Sequence, residues 1–340
     1  MKMMEPMIHI TDASPLTRRS VFQYAAAMLA GSALPFSSLS AFAQPLSARL
    51  EQPNSGTAGV VWRTLLERQG AKTGTGASVQ WIGGDPGQSQ VQLIAGAIDV
   101  GFFGPIGAVE TALRGQDVVI FAPGLINHGS WLVKGNSPFH SPRDLKGKVI
   151  ATQPETTETY RQARLALGLL GLDLKRDFQV IFGPPTANLA LFERGSVDAV
   201  ITIEPISTRL IAGGAREIAR VRDQWRQGTK DARPLFLGGQ GTRRKWFEEN
   251  RAVAAKLSRL YRVANEQIRA NPQTLSELHQ LLGVPAGDRA AIDLLVKRLP
   301  EIYAVEWSPA VVKDADKVVD AAIKSGILRG KPSRPVFEIA

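Results

Sequence analysis

The sequence has no cysteine among its 340 residues and only four histidines. The first absence excludes disulfides, thiolate zinc sites, iron–sulfur clusters and a lipid-attachment cysteine. The second leaves little for a histidine metal centre, because His9, His128, His140 and His279 are scattered and form no metal-binding pair. No glycine run has the spacing of a dinucleotide or phosphate loop, and no Gly-x-Ser-x-Gly elbow occurs. Nucleotide, metal and hydrolytic-triad chemistry therefore lack support. No cofactor is expected, and the chain does not read as an enzyme. Nor is there an unbroken apolar run of about 20 residues, the length a membrane-spanning helix needs. The stretch Tyr24–Leu39 is interrupted by Gly31, Ser32, Pro35, Ser37 and Ser38.

Acidic residues are also in deficit. Lys and Arg number 41 against 31 Asp and Glu, a formal charge of +10. The basic residues are dispersed and match no nucleic-acid motif, so they read as a solvated surface with a mild pull on anionic solutes. No nucleic-acid partner is expected.

Arg18 and Arg19 stand before the broken apolar run, and Ala41-Phe42-Ala43 closes it with small residues at the positions a signal peptidase reads. Residues 1–43 are therefore expected to be an export signal cleaved after Ala43. Thr17-Arg18-Arg19-Ser20-Val21-Phe22 resembles the twin-arginine signal, although paired arginines also occur in leaders of the general route. The 297 residues that remain suffice for two lobes with cores of their own. They are expected to form a soluble periplasmic monomer.

The chain also matches itself. VQWIGGDPGQSQVQLIAGAID (79–99) and FQVIFGPPTANLALFERGSVD (178–198) align at a constant offset of 99 residues. Gln80, Ile82, Gly84, Pro86, Gly96 and Asp99 meet Gln179, Ile181, Gly183, Pro185, Gly195 and Asp198. Each copy reads as strand, Gly-x-Pro turn, helix, Gly turn, strand. Further strands are expected at 118–121, 131–133, 148–151, 199–203, 218–221 and 235–237, alternating with helices. After Gly241 the pattern turns helical. Such alternation builds mainly parallel sheets flanked by helices, and a duplicated α/β unit suggests two similar lobes facing across a cleft.

VQLIAGAIDVGFFGPIGAV (91–109), DLKGKVIAT (144–152) with Glu155-Thr156-Thr157 behind it, and VDAVITIEPISTRLI (197–211) resemble the periplasmic solute-binding proteins of ABC importers. The branch is that of nitrate, sulfonates, taurine and thiamine-pyrimidine precursors. The resemblance covers about 46–240. It implies a type II periplasmic-binding-protein fold, with lobe 1 from 46–126 plus 236–340 and lobe 2 from 127–235. Hinges are expected near Leu125–His128 and Arg233–Leu237. It also implies delivery of a captured solute to a membrane permease with a cytoplasmic ATPase. Two features depart from the family pattern. The opening strand is weak, with only Ser47–Leu50 before the PNSG turn, and Ile203 stands where many members carry an aromatic residue.

Strand-to-helix turns aim free N–H groups and positive helix ends at such a cleft, which suits an anion. The expected ligand residues are Asn54, Ser55, Gly56 and Thr57 in the first turn, Gly84, Asp85 and Gln88 in the second, and Gly104 and Pro105 in the third. Gln153, Thr156, Thr157 and Glu204 face them from the other lobe, and Asn127 and His128 stand at the crossing. Asp85 and Glu204 could instead cap helices or meet an amine on the solute. Trp81, Trp131 and the pair Phe102/Phe103 could be core or ligand wall. The expected solute is a small organic anion, sulfonate-like or taurine-like. A pyrimidine or aromatic acid, or a sensor presenting its closed form to a receptor, remain the alternatives.

Overall fold

A seven-residue strand opens the fold, three residues longer than the sequence suggests. The computed structural model describes residues 47–73, 78–84 and 87–340. The expected export signal, residues 1–43, and Asp85 lie outside them. The first run comprises β1 (Ser47–Pro53), α1 (Val61–Thr73), β2 (Ser78–Gly84), α2 (Gln88–Ile94), β3 (Val100–Phe103), α3 (Pro105–Leu113) and β4 (Val118–Ile126). The second comprises β5 (Ser130–Val133), β6 (Val149–Thr152), α4 (Glu158–Gly168), β7 (Gln179–Phe182), α5 (Pro185–Glu193), β8 (Ala199–Thr202), α6 (Ile206–Ala212), β9 (Arg216–Arg220) and α7 (Val221–Thr229). Then come β10 (Phe236–Arg243), α8 (Arg244–Glu249), α9 (Arg251–Ala270), α10 (Gln273–Glu277), α11 (Arg289–Arg298) and α12 (Pro309–Lys324).

Two five-stranded sheets result, ordered β2-β1-β3-β10-β4 and β7-β6-β8-β5-β9. In each, the strand fourth in order pairs antiparallel with both neighbours and the first three are mutually parallel. The reversed strands are β10 and β5, each the first strand after the chain has crossed from the other sheet. The crossings are tied together where the Asn127 N–H donates to the Leu235 carbonyl at 2.7 Å.

The repeat seen in the sequence occupies equivalent places. Each copy runs from an edge strand (β2 or β7) through a helix to the third strand (β3 or β8). Gly96 and Gly195 turn the chain at φ +76° and +73°, a region open to glycine because it has no Cβ. The matched aspartates do the same work. Asp99 accepts the Arg49 N–H and Asp198 accepts the Val149 N–H, each at 2.9 Å. Their own N–H groups donate back to the carbonyls of Arg49 and Val149.

Strand β10 corrects the sequence reading, which ended this strand at Leu237, whereas it runs on to Arg243. Its glycines are there because β10 is pressed between β3 and β4. A Cβ on Gly239 would lie 2.0 Å from the Ala122 carbonyl oxygen. The helical tail folds back on the first sheet. In α9 the buried residues Val253, Leu257, Tyr261, Ala264 and Ile268 recur at helical spacing, and the helix packs on β4 and α1. No described helix is long and apolar enough to cross a membrane.

Candidate functional site

The carboxyl ends of β1 and β6 deliver their turns to a common cavity of about 680 Å³ of atom-free space, its mouth included. From the first sheet come Asn54, Thr57 and Gly84, and from the second Gln153 and Thr157, with His128 at the crossing. These are six of the fifteen residues expected from the sequence.

Thr157 caps α4 by accepting the Tyr160 N–H and donates to the Pro154 carbonyl at 2.7 Å, and it also lines the cavity. Thr57 donates to the Asn54 carbonyl at 2.8 Å, which shapes the first turn. Gln153 is 1% exposed, and neither its Oε1 nor its Nε2 has a partner. Buried amide groups are normally hydrogen-bonded, and this one lines the cavity with both polar atoms open. His128 donates from Nδ1 to the Ile126 carbonyl at 2.9 Å, since a carbonyl can only accept. Burial pulls its pKa down to about 4, so the ring is neutral and Nε2 is an acceptor.

The other expected residues lie elsewhere. Ser55 donates to the Leu281 carbonyl at 3.0 Å, and Gly56 faces Ile206 and Thr186. Gln88 and Thr156 are exposed and outside the lining. Asn127 is fully buried in the crossing, where its amide donates to Gln162 and its Oδ1 accepts the Gly129 N–H. Glu204 caps its own helix through Thr208 and pairs with Arg298 of α11 at 2.8 Å. Arg298 also holds Glu217, whose charge burial opposes; Arg298, the Ser130 hydroxyl and Arg220 nevertheless bring its pKa down to about 2.

Gly104 and Pro105 present a helix N-terminus as foreseen, but a carboxylate of the chain itself occupies it. Glu158, the first residue of α4, accepts the Ile106 and Gly107 N–H groups at 3.1 and 3.0 Å. Gly104 makes room for it, because a Cβ there would lie 1.9 Å from Glu158 Cγ. One turn further on, Arg161 pairs with Glu110 at 2.7 Å. Burial pushes the Glu158 pKa up, against the charge of Arg161 and the two N–H groups.

The sequence reading did not single out two groups that matter. One is Glu51, 7% exposed, which lines the cavity and accepts the Phe102 N–H at 2.6 Å. Its signal was an acid at the carboxyl end of a parallel strand, hidden because β1 was read as ending at Leu50. The other is Trp62, which lines the cavity beside Phe102, itself a wall candidate in the sequence. Trp62 stacks on Phe102 with centroids 6.3 Å apart, and meets Tyr261 edge-on at 5.4 Å. Its indole N–H is held by Asn265 at 2.8 Å. Strand alternation places Phe102 at the cavity and Phe103 in the core, while Trp131 is fully buried core. Among the described residues no lysine or arginine lines the cavity.

Residues 82–228 match the model of a family described as the periplasmic substrate-binding protein of a phosphonate ABC transporter. Solved structures with the same fold include the alkanesulfonate-binding protein of Xanthomonas axonopodis pv. citri bound to MOPS. It gives a TM-score of 0.70 at 21% identity, covering 88% of this chain and 100% of that one. The periplasmic aliphatic sulphonate binding protein of Escherichia coli gives 0.64 at 22% identity, covering 85% and 96%. The periplasmic nitrate-binding protein of Synechocystis PCC 6803 gives 0.61 at 15%, covering 84% and 83%. At these identities the likeness establishes the fold. A comparison with curated proteins finds no match.

Proposed function

We propose that this chain, which has the type II periplasmic-binding-protein fold and matches a substrate-binding family of ABC importers over 82–228, is the periplasmic solute-binding component of an importer for a small organic anion. Lobe 1 is taken as 46–126 with 236–340 and lobe 2 as 127–235, hinged at Leu125–His128 and Arg233–Leu237. The solute bridges the lobes and stabilises the closed form, which a membrane permease with its ATPase then reads.

The observation that carries this reading is Gln153, buried and unpartnered beside the N-terminus of α4. There, helix geometry leaves the N–H groups of Glu158 and Thr159 without intrahelical acceptors. An oxyanion placed between them would meet the Gln153 amide, the Thr159 hydroxyl and the positive end of the helix. The similar structures are of proteins that bind sulfonates and nitrate, which are of this class. A second reading, an aminopyrimidine stacked on Trp62, is favoured only by the aromatic wall.

The test is thermal unfolding of the protein against alkanesulfonates, taurine, nitrate, phosphonates and aminopyrimidines. A bound solute adds RT ln(1 + [L]/Kd), about 2.7 kcal/mol at a hundredfold excess over Kd. Stabilisation by sulfonates or phosphonates is the expected result. Stabilisation by aminopyrimidines alone would overturn the anion assignment.

A further inference from the structure

The lining of the cavity is one-sided in charge. Glu51, Glu158 and the neutral His128 offer oxygens and a ring nitrogen, and among the described residues no lysine or arginine lines the cavity with them, although Arg161 lies close to Glu158 and Arg222 to His128. Glu158 is engaged by two N–H groups of α3, whereas Glu51 forms no ion pair among the described residues. Its donors there are the Phe102 N–H and the Ser89 hydroxyl. A carboxylate buried without a cation is held at a large desolvation penalty. A protein that only needed to fold would gain by an apolar residue there. The faces of Trp62 and Phe102 close the same cavity, and an aromatic face attracts a cation as well.

From the unpaired Glu51 carboxylate and the aromatic wall, we propose that the solute carries a protonated amine, and that Glu51 supplies its counter-charge. The solute class is then a zwitterion, with its anionic end at the N-terminus of α4 and its ammonium at Glu51 beside Trp62 and Phe102. This deepens the proposed function and rests on it for the anionic end alone. Glu51 thereby sets specificity. It admits an aminoalkyl sulfonate and repels a second negative charge, such as that of a dicarboxylate or a sulfonate with a distal acid.

Three probes of matched size separate the two ends: taurine, ethanesulfonate and protonated ethanolamine, each titrated against the wild-type protein and Glu51→Gln by calorimetry at pH 8. The expected result is that taurine binds the wild type at least about tenfold more tightly than ethanesulfonate. In Glu51→Gln that preference should shrink to within about twofold, a loss of the size expected for one charge-assisted contact. Ethanesulfonate binding the wild type as well as taurine would overturn the amine proposal and leave the importer reading standing. Binding of ethanolamine alone would support the amine and overturn the anionic end. Binding of none of the three would overturn both. The wild-type comparison decides the matter even where the variant folds poorly.

Discussion

Replacing Glu51 by glutamine probes the cavity through folding alone, without any solute. Burial pushes this carboxyl from its ordinary 4.5 up to about 7, although the Phe102 N–H and the Ser89 hydroxyl favour its charged form. The native state therefore holds a proton that the unfolded chain releases. The stability Glu51 allows is fully present below about pH 4.5. It declines as pH rises through 7 and is level above that. A shift of this size corresponds to about 3 kcal/mol in all, most of which falls between pH 5 and pH 8. Glutamine keeps the shape and does not titrate. The stability difference between variant and wild type, measured by urea denaturation, should move by about 2–3 kcal/mol in the variant's favour from pH 5 to pH 8. In a melting experiment that is about 4 °C for a chain of this size. A difference that stays constant between the two pH values would refute the electrostatic reasoning and, with it, the description of Glu51 as a buried carboxyl without a cation.

The other predictions concern the surroundings of the cavity. Gln153→Leu removes no hydrogen bond, since neither amide atom has a partner; its melting temperature should match or exceed the wild type while stabilisation by sulfonates disappears. Gly104→Ala drives a methyl into Glu158 and is expected to destabilise by about 1–3 kcal/mol, read by urea denaturation. Arg298→Ala strands Glu204, 3% exposed, and should lower stability by about 3–5 kcal/mol, whereas the double variant Arg298→Met/Glu204→Gln should recover much of it. Asn265→Ala leaves the Trp62 indole and the Ala304 carbonyl without this partner, for a loss of about 2–4 kcal/mol and an altered tryptophan emission.

The family resemblance and the internal repeat carried most of the architecture. Both repeats, the alternation of strands and helices and the helical tail have local signatures in periodicity and in glycine and proline placement, and these do not need the rest of the chain to be read. Strand β10 lacked such a signature. Its glycines serve close backbone approach to β4, and the same residues mark turns when seen one-dimensionally. The site was legible at the turns. Asn54, Thr57, Gly84, Gln153 and Thr157 follow from the rule that ligands gather at the carboxyl ends of parallel strands. Their neighbours Ser55, Gly56 and Thr156 share the turns but face other parts of the chain, because a turn points successive side chains in different directions.

By itself, the sequence determined the α/β class, the duplicated unit, the absence of cysteine chemistry and a set of turns able to receive an anion. All of these depend on residues near one another along the chain. The tertiary structure alone decided which donors remain open. It filled the α3 N-terminus with Glu158, tied Glu204 to Arg298 and left Gln153 and Glu51 facing the cavity. Pairing and desolvation depend on groups 50 to 100 residues apart, such as Glu158 with Gly107 and Arg298 with Glu204. Whether a polar side chain is used up within the fold or left for a solute is therefore settled only when those distant groups meet.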